Sequence, residues 1–274
     1  MSFVYERPRT AEDLGKLLAS HGQRACVLAG GTDLLVALRA GHARPEVVAD
    51  VKAIEELREL RHEADGRLFI GAAVTINRIV DDARLRAMHG GLTGGAGAIA
   101  TFAIRNRATV VGNVSNASPC ADTVPALALL GAEVELRSAT GSRRIGLRDY
   151  IVGVKQTARR ADEFAAGIHV PAQGKGTRTW FCKRQRVRGH DLALANAALI
   201  HDPEHKKLRV AVGSCSPRPV VVELDDMFDK PDAEEAAKRA MASIAPISDV
   251  RASAEYRTDM TGMLVRRLFD ALRG

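Results

Sequence analysis

Aromatic residues are scarce in this chain: one Trp, three Tyr and seven Phe among 274 residues, or 4% of the total. Nucleic-acid platforms stack bases on such rings, so the scarcity argues against one despite a formal charge of +7. The excess charge also lies in scattered pairs, Arg143-Arg144, Arg159-Arg160 and Lys206-Lys207, interleaved with Asp and Glu. That pattern describes solvated faces, or a basic surface for an acidic partner or NADH, rather than a polyanion track. Cysteine is equally sparse. Cys26, Cys120, Cys182 and Cys215 contain no Cys-x-x-Cys pair, so cluster ligation is not expected and each thiol reads as a small buried hydrophobe. No apolar run approaches the ~20 residues of a membrane span. Met1 to Asp13 carries charges where a secretory signal needs an apolar core, and a cytoplasmic location is expected. A Gly-x-x-x-x-Gly-Lys-Ser/Thr loop and a nucleophile elbow are both missing. No catalytic residue and no metal ligand is therefore assigned, and neither nucleic acid nor a membrane is an expected partner.

What the chain does have is 46% hydrophobic residues, enough for a substantial core, and two unusual loops. The first, Val27-Leu28-Ala29-Gly30-Gly31-Thr32-Asp33-Leu34, runs from an apolar strand through two glycines into a helix. Such a turn aims unpaired N–H groups and the positive end of a helix dipole at an anion. The second, Thr109-Val110-Val111-Gly112-Asn113-Val114-Ser115-Asn116-Ala117-Ser118-Pro119-Cys120-Ala121-Asp122, puts a glycine and small polar side chains between two apolar segments. Asp122 ends it as an acceptor suited to a sugar or ribityl hydroxyl. Together the loops suggest the two ends of one dinucleotide.

The remaining pattern is α+β. Strands at Ala25 to Ala29 and Glu46 to Val51 flank a helix from about Thr32 to Ala40, giving a first lobe over residues 1–60. Residues 61–173 form a second lobe, with a strand from Leu68, helices near Ile76 to Asp82, Gly91 to Ala100 and Asp122 to Leu130, and strands at Glu133 to Arg137 and Glu163 to Val170. After the connector Gln173-Gly174-Lys175-Gly176, residues 174–274 read as a three-stranded antiparallel sheet (Thr177 to Val187, Leu192 to His201, Lys207 to Gly213). Helices at Ala233 to Ile244 and Ala254 to Leu272 follow. Two further signals have plainer readings. Gly95-Ala96-Gly97-Ala98-Ile99-Ala100 matches a Gly-x-Gly-x-x-Ala fingerprint, but no convincing strand precedes it, so a small-residue helix packed beside the second loop is expected. His201-Asp202-Pro203-Glu204-His205 offers imidazoles and carboxylates, but its Pro and charged flank describe a hairpin turn.

The two loops, Ile104-Arg105-Asn106-Arg107 before the second of them, Trp180-Phe181-Cys182-Lys183-Arg184-Gln185-Arg186 with Asp191-Leu192-Ala193, and the cadence from Gly153 to Pro171 resemble one family over nearly the whole chain. It is the flavin-binding subunits of bacterial molybdenum hydroxylases, the group containing xanthine dehydrogenase and aerobic carbon monoxide dehydrogenase. The first loop here, Gly30-Gly31-Thr32-Asp33, is like the xanthine dehydrogenase form; the carbon monoxide dehydrogenase form has Gln-Ser in place of Thr-Asp.

The resemblance implies a two-lobed FAD-binding domain of the vanillyl-alcohol-oxidase/PCMH type followed by the C-terminal α+β domain. It places the pyrophosphate and adenosine side of a noncovalent FAD on Val27, Leu28, Ala29, Gly30, Gly31, Thr32, Asp33 and Leu34, and on Thr109, Val110, Val111, Gly112 and Asn113. Asp122 falls on a hydroxyl-bearing part of the cofactor. Ile99 and Ile168 match positions near the flavin ring, and Lys183 matches a lysine beside the cofactor. Positive charge there stabilises a reduced anionic flavin; neutralising phosphate or pairing with Asp191 are the other readings of Lys183. Asn116 stands where some relatives have Thr. The implied partners are a small subunit with two [2Fe-2S] clusters and a large molybdopterin-binding subunit, arranged as a dimer of heterotrimers. Electrons would pass from the clusters through FAD to NAD or another acceptor. The alternative is a self-contained FAD-dependent oxidase or reductase of the same fold.

Overall fold

The computed structural model describes residues 2–187 and 189–274. In the first lobe, β1 (Val4–Glu6), α1 (Ala11–His21), β2 (Ala25–Leu28), α2 (Leu34–Arg39) and β3 (Val47–Asp50) build a parallel sheet of order β1-β3-β2. The middle strand β3 is buried at all four positions, as its Val-Val-Ala-Asp sequence allows. Thr10 starts α1 by accepting a hydrogen bond from Asp13 N, and Leu14 and Leu18 bury one face of the helix. Gly15 lets α1 lie against the second lobe: a Cβ there would sit 2.7 Å from Ala139 N.

The second lobe starts with β4 (Leu60–His62) and β5 (Leu68–Gly71). Six short helices follow: α3 (Ile76–Asp81), α4 (Ala83–Met88), α5 (Gly90–Gly97), α6 (Phe102–Arg105), α7 (Val110–Ser115) and α8 (Val124–Leu129). The chain returns through β6 (Glu133–Ser138), β7 (Gly141–Gly146), α9 (Leu147–Tyr150), the hairpin β8 (Ile151–Gly153) and β9 (Gln156–Thr157), and β10 (Phe164–Val170). The sheet order is β4-β5-β10-β6-β7, with antiparallel neighbours throughout. Central β10 pairs Ile168 with Ile70 and Val134, three residues of the main core, while the adjacent register sets His169 beside Phe69 and Glu133. The strand alternation thus separates an apolar, helix-covered face from a charged one. Thr109–Asp122 differs from a plain loop. Its first part is the helical turn α7, because the Thr109 hydroxyl caps it by accepting from Gly112 N at 3.0 Å.

The C-terminal domain corrects the expected three-stranded sheet. Four antiparallel strands form it in sequence order: β11 (Arg178–Arg184), β12 (Ala195–Asp202), β13 (Lys207–Gly213) and β14 (Val220–Glu223). The fourth is a short edge strand directly after Ser-Pro-Arg-Pro, a run that reads as loop. Helices α10 (Ala233–Ser243) and α11 (Ala254–Arg273) cover one face, where Leu199, Val210, Leu264 and Phe269 share a second core. The other face gives Ala198, Ile200 and Ala211 to the main core. Buried on both faces, β12 is apolar almost without alternation, and the one amide in it, Asn196, is fully buried.

Candidate cofactor site

The first loop leaves β2 and approaches the second so closely that a Cβ on Gly30 would run into Arg107 O and lie 2.8 Å from Ala108 Cα. Gly31 adopts φ +76°, which favours glycine. Helix α2 begins only at Leu34, so Thr32 and Asp33 stay in the loop. The N–H groups of Gly31, Thr32 and Asp33 find no acceptor among the described residues, nor do those of Val110 and Val111 at the start of α7. Two sets of free donors therefore lie side by side, a backbone cradle of the kind that holds phosphate. Side chains tie the loops together as well. Asn116 Nδ2 donates to Asp33 Oδ1 at 2.9 Å, and Lys155 Nζ donates to Asn116 Oδ1 at 2.7 Å. Asn113 Oδ1 accepts from Thr123 Oγ1 at 2.7 Å, bracing the second loop from below.

The other end is made of buried side chains. Asp122, 4% exposed, accepts from Lys183 Nζ at 2.7 Å and from Asn196 Nδ2 at 2.8 Å. Burial pushes the Asp122 carboxyl upward, against the pull of the Lys183 ammonium and the hydrogen bonds from Lys183 and Asn196. Lys183 belongs to β11 and Asn196 to β12, so the C-terminal domain supplies half of this constellation. Lys183 does not pair with Asp191. Arg186 takes that carboxylate in a two-pronged ion pair and holds it well below the usual carboxylate range. Asp122 is no helix cap either, since α8 starts at Val124 with no side-chain cap.

Lys183 Nζ also donates to Ala98 O at 3.2 Å, which brings the turn Gly97–Thr101 into the site. Ala100 lies there at φ +40°, a conformation that costs an alanine roughly 1–2 kcal/mol. Ile99 sits in this turn, partly buried, next in sequence to Ala98, whose carbonyl Lys183 holds. Ile168 stands apart: it is fully buried in β10 within the main core. The Gly-x-Gly-x-x-Ala segment is the small-residue helix α5, preceded by α4 and not by a strand. Gly95 lets α5 touch the Asp122 carbonyl, and at Gly91 a Cβ would lie 3.0 Å from Trp180 O. His201 and Asp202 end β12, and the turn into β13 follows at Pro203 to Lys206, with His205 Nδ1 2.9 Å from Asp202.

Two contributors went unassigned in the sequence. Asn196 is the lone amide in an apolar strand, a detectable signal. Arg105 sat in a recognised motif, but its contacts depend on how the chain folds back. Its Nη1 reaches Ile99 O at 2.9 Å and Ala100 O at 3.0 Å.

FAD fits this geometry. Its pyrophosphate matches the free donors, and a carboxylate whose oxygens keep unused lone pairs suits a hydroxyl. At Gly97 a Cβ would meet nothing within 4 Å, so the backbone there faces open space. Fold and site together define a flavin-binding component of an oxidoreductase. Residues 1–173 match the family described as FAD binding domain in molybdopterin dehydrogenase, and residues 180–272 match the CO dehydrogenase flavoprotein C-terminal domain. The chain belongs to this family of molybdenum hydroxylase FAD subunits. It is 31% identical to the carbon monoxide dehydrogenase medium chain of Afipia carboxidovorans, covering 97% of this chain and 95% of that one. It is 27% identical to the xanthine dehydrogenase FAD-binding subunit of Escherichia coli O157:H7, covering 96% and 94%. A chain of the Cu,Mo-CO dehydrogenase crystal structure superposes with a TM-score of 0.90 at 30% identity, covering 98% and 97%. Similarity over the whole chain thus spans both branches, whatever the Thr32-Asp33 form of the first loop suggests. No helix among the described residues is long and apolar enough to cross a membrane.

Proposed function

We propose that this chain holds FAD noncovalently across the cleft between its loops. In this reading it relays electrons from [2Fe-2S] clusters of a small partner subunit, fed by a large molybdopterin-binding subunit, to NAD or another acceptor. The observation that carries the reading is the row of free backbone donors from Gly31 to Asp33 beside those of Val110 and Val111. The flavin, when bound, supplies a carrier that takes electrons one at a time and gives them up in pairs.

The chain's own groups position it. Val27 to Leu34 with Thr109 to Asn113 face the pyrophosphate and adenosine; Asp122 accepts a hydroxyl hydrogen bond. Ile99 packs near the ring, with Ile168 supporting that end from the core, and Lys183 sets a positive charge there that favours the reduced anion. No residue acts as acid or base on an organic substrate, so substrate oxidation belongs to the large subunit. The complex is a dimer of heterotrimers working in the cytoplasm, where four free thiols are at home.

The test is direct. The purified chain should be yellow or take up FAD, and denaturation should release the flavin. A flavin that stays on the denatured chain, or a protein that never binds one, refutes the noncovalent site. Expression from the native locus should co-purify the molybdenum and iron–sulfur subunits, and the FAD-loaded chain alone should not oxidise the organic substrate.

A further inference from the structure

Four successive carbonyls of the Gly97–Thr101 turn lie within hydrogen-bond reach of a cationic side chain. Lys183 takes Ala98 O. Arg105 Nη1 takes Ile99 O at 2.9 Å and Ala100 O at 3.0 Å, and lies 3.3 Å from Gly97 O. The guanidinium is anchored in turn, because its Nε donates to Asn77 Oδ1 at 3.0 Å. Asn77 is 4% exposed, and its Nδ2 donates to Phe102 O at 3.0 Å and to Asn106 Oδ1 at 2.7 Å. With its carbonyls drawn to one side, the turn leaves the N–H groups of Ala100 and Thr101 without an acceptor among the described residues. Ala100 meanwhile holds a left-handed conformation that alanine rarely adopts unaided. The planar guanidinium spans two anchor points in one rigid group, Nη1 on the turn carbonyls and Nε on Asn77; a lysine, with one nitrogen on a flexible stem, cannot hold both at once.

We infer that Arg105, anchored by Asn77, is a positioning residue that presets the Gly97–Thr101 turn, so that the free N–H groups of Ala100 and Thr101 and the side chain of Ile99 meet the flavin ring in a fixed geometry. This rests on the FAD reading above. The turn belongs to the second lobe, yet Lys183 ties it to the C-terminal domain, so the ring would be held by a device both domains complete. Arg105 itself stays behind the turn, and its effect on the cofactor passes through the backbone.

The experiment compares wild type with Arg105→Lys, Asn77→Ser and Arg105→Lys/Ala100→Gly. Hydrogen exchange in the apoprotein, FAD titration by fluorescence and the midpoint potential of bound flavin are the readouts. Arg105→Lys should speed exchange at Ala100 and Thr101 by about tenfold or more, weaken FAD by about tenfold and shift the potential. Asn77→Ser should move all three the same way by less. Ala100→Gly should restore part of the affinity lost by Arg105→Lys, because glycine takes the positive φ freely. A folded Arg105→Lys with exchange, affinity and potential all unchanged overturns the inference. If that variant does not fold, the same three null results in folded Asn77→Ser overturn it. A wild-type chain that binds no FAD overturns the FAD reading and the ring contact with it, whereas the apoprotein exchange still reports separately whether Arg105 holds the turn.

Discussion

At Gly31–Asp33 the chain offers bare amides, a glycine at positive φ and one exposed side-chain bridge. At Asp122 it offers an almost fully buried ion pair whose members come from two domains. Neither construction can replace the other. Free N–H groups meet the delocalised charge of phosphate without a long side chain to immobilise, which supplies affinity with little selectivity for what lies beyond the pyrophosphate. A buried acid and lysine are costly to desolvate and contribute little net stability, but they fix charge and geometry within a narrow tolerance. The difference suggests that the first end retains the cofactor and the second end sets its properties. It also suggests why the C-terminal domain, remote from the first loop, contributes Lys183 and Asn196 to the site.

The sharpest way to break that comparison is to remove one member of the buried pair. Lys183→Met leaves the Asp122 carboxylate buried with only Asn196 as partner, and removing one side of such a pair costs about 3–5 kcal/mol. Denaturant unfolding of the apoprotein should show that loss, and Asp122→Asn/Lys183→Met should recover much of it. If Lys183→Met leaves stability unchanged, water reaches the pair and the buried end is no more rigid than the first loop.

Acid should separate the two ends next. His89 precedes α5 at the seam with β11, where a Cβ on neighbouring Gly90 would sit 3.2 Å from Thr179 O. Burial holds its imidazole down at about 4, against 6.5 when free. The unfolded chain therefore binds a proton that the folded chain refuses. Stability is complete above about pH 6.5 and is lost as the pH falls towards 4, by about 3 kcal/mol in all. His89→Gln should flatten urea stability between pH 7 and 5. A wild-type profile already flat there would show that the seam admits the charge.

Gly30→Ala tests the first end. Its Cβ would strike the backbone of Arg107 and Ala108, which cannot swing aside as a side chain can. The two loops must separate, at about 1–3 kcal/mol of stability and with FAD binding lost. Retention of normal FAD affinity would mean that the cradle does not depend on the close approach of the loops.

Much of this was legible in the sequence, for reasons that are local. Glycines preceding polar residues, apolar alternation and the charged hairpin at His201–His205 each report on neighbours a few positions away. The order β4-β5-β10-β6-β7 and the partners of Lys183 do not. Lys183 bonds Asp122 across 61 residues and Ala98 across 85, while the nearer Asp191 is claimed by Arg186 only five positions off. Proximity in sequence therefore keeps Asp191 among the readings of Lys183, although its partner in the fold is Asp122. The fourth C-terminal strand is harder to read for a related reason: Val220–Glu223 has the β-branched residues of a strand, but it is four residues long and follows two prolines, and only pairing with β13 makes it one.

The smallest effect should come from the one side-chain bridge between the loops. Asn116→Ala removes the bond to Asp33 and frees Lys155, all on exposed or half-buried surface. A hydrogen bond there contributes about 0.5–1.5 kcal/mol net, so FAD affinity should fall by about tenfold at most. Apoprotein stability should change by no more than about 0.5 kcal/mol, as for other surface substitutions. FAD titration beside thermal unfolding checks both. If Asn116→Ala instead weakens FAD as severely as Gly30→Ala, the first end depends on side chains as much as the second, and the contrast between a backbone cradle and a side-chain clasp fails. If it changes nothing, the amides of Gly31, Thr32 and Asp33 are held by the glycine turn alone, and the bridge only links two loops already in place.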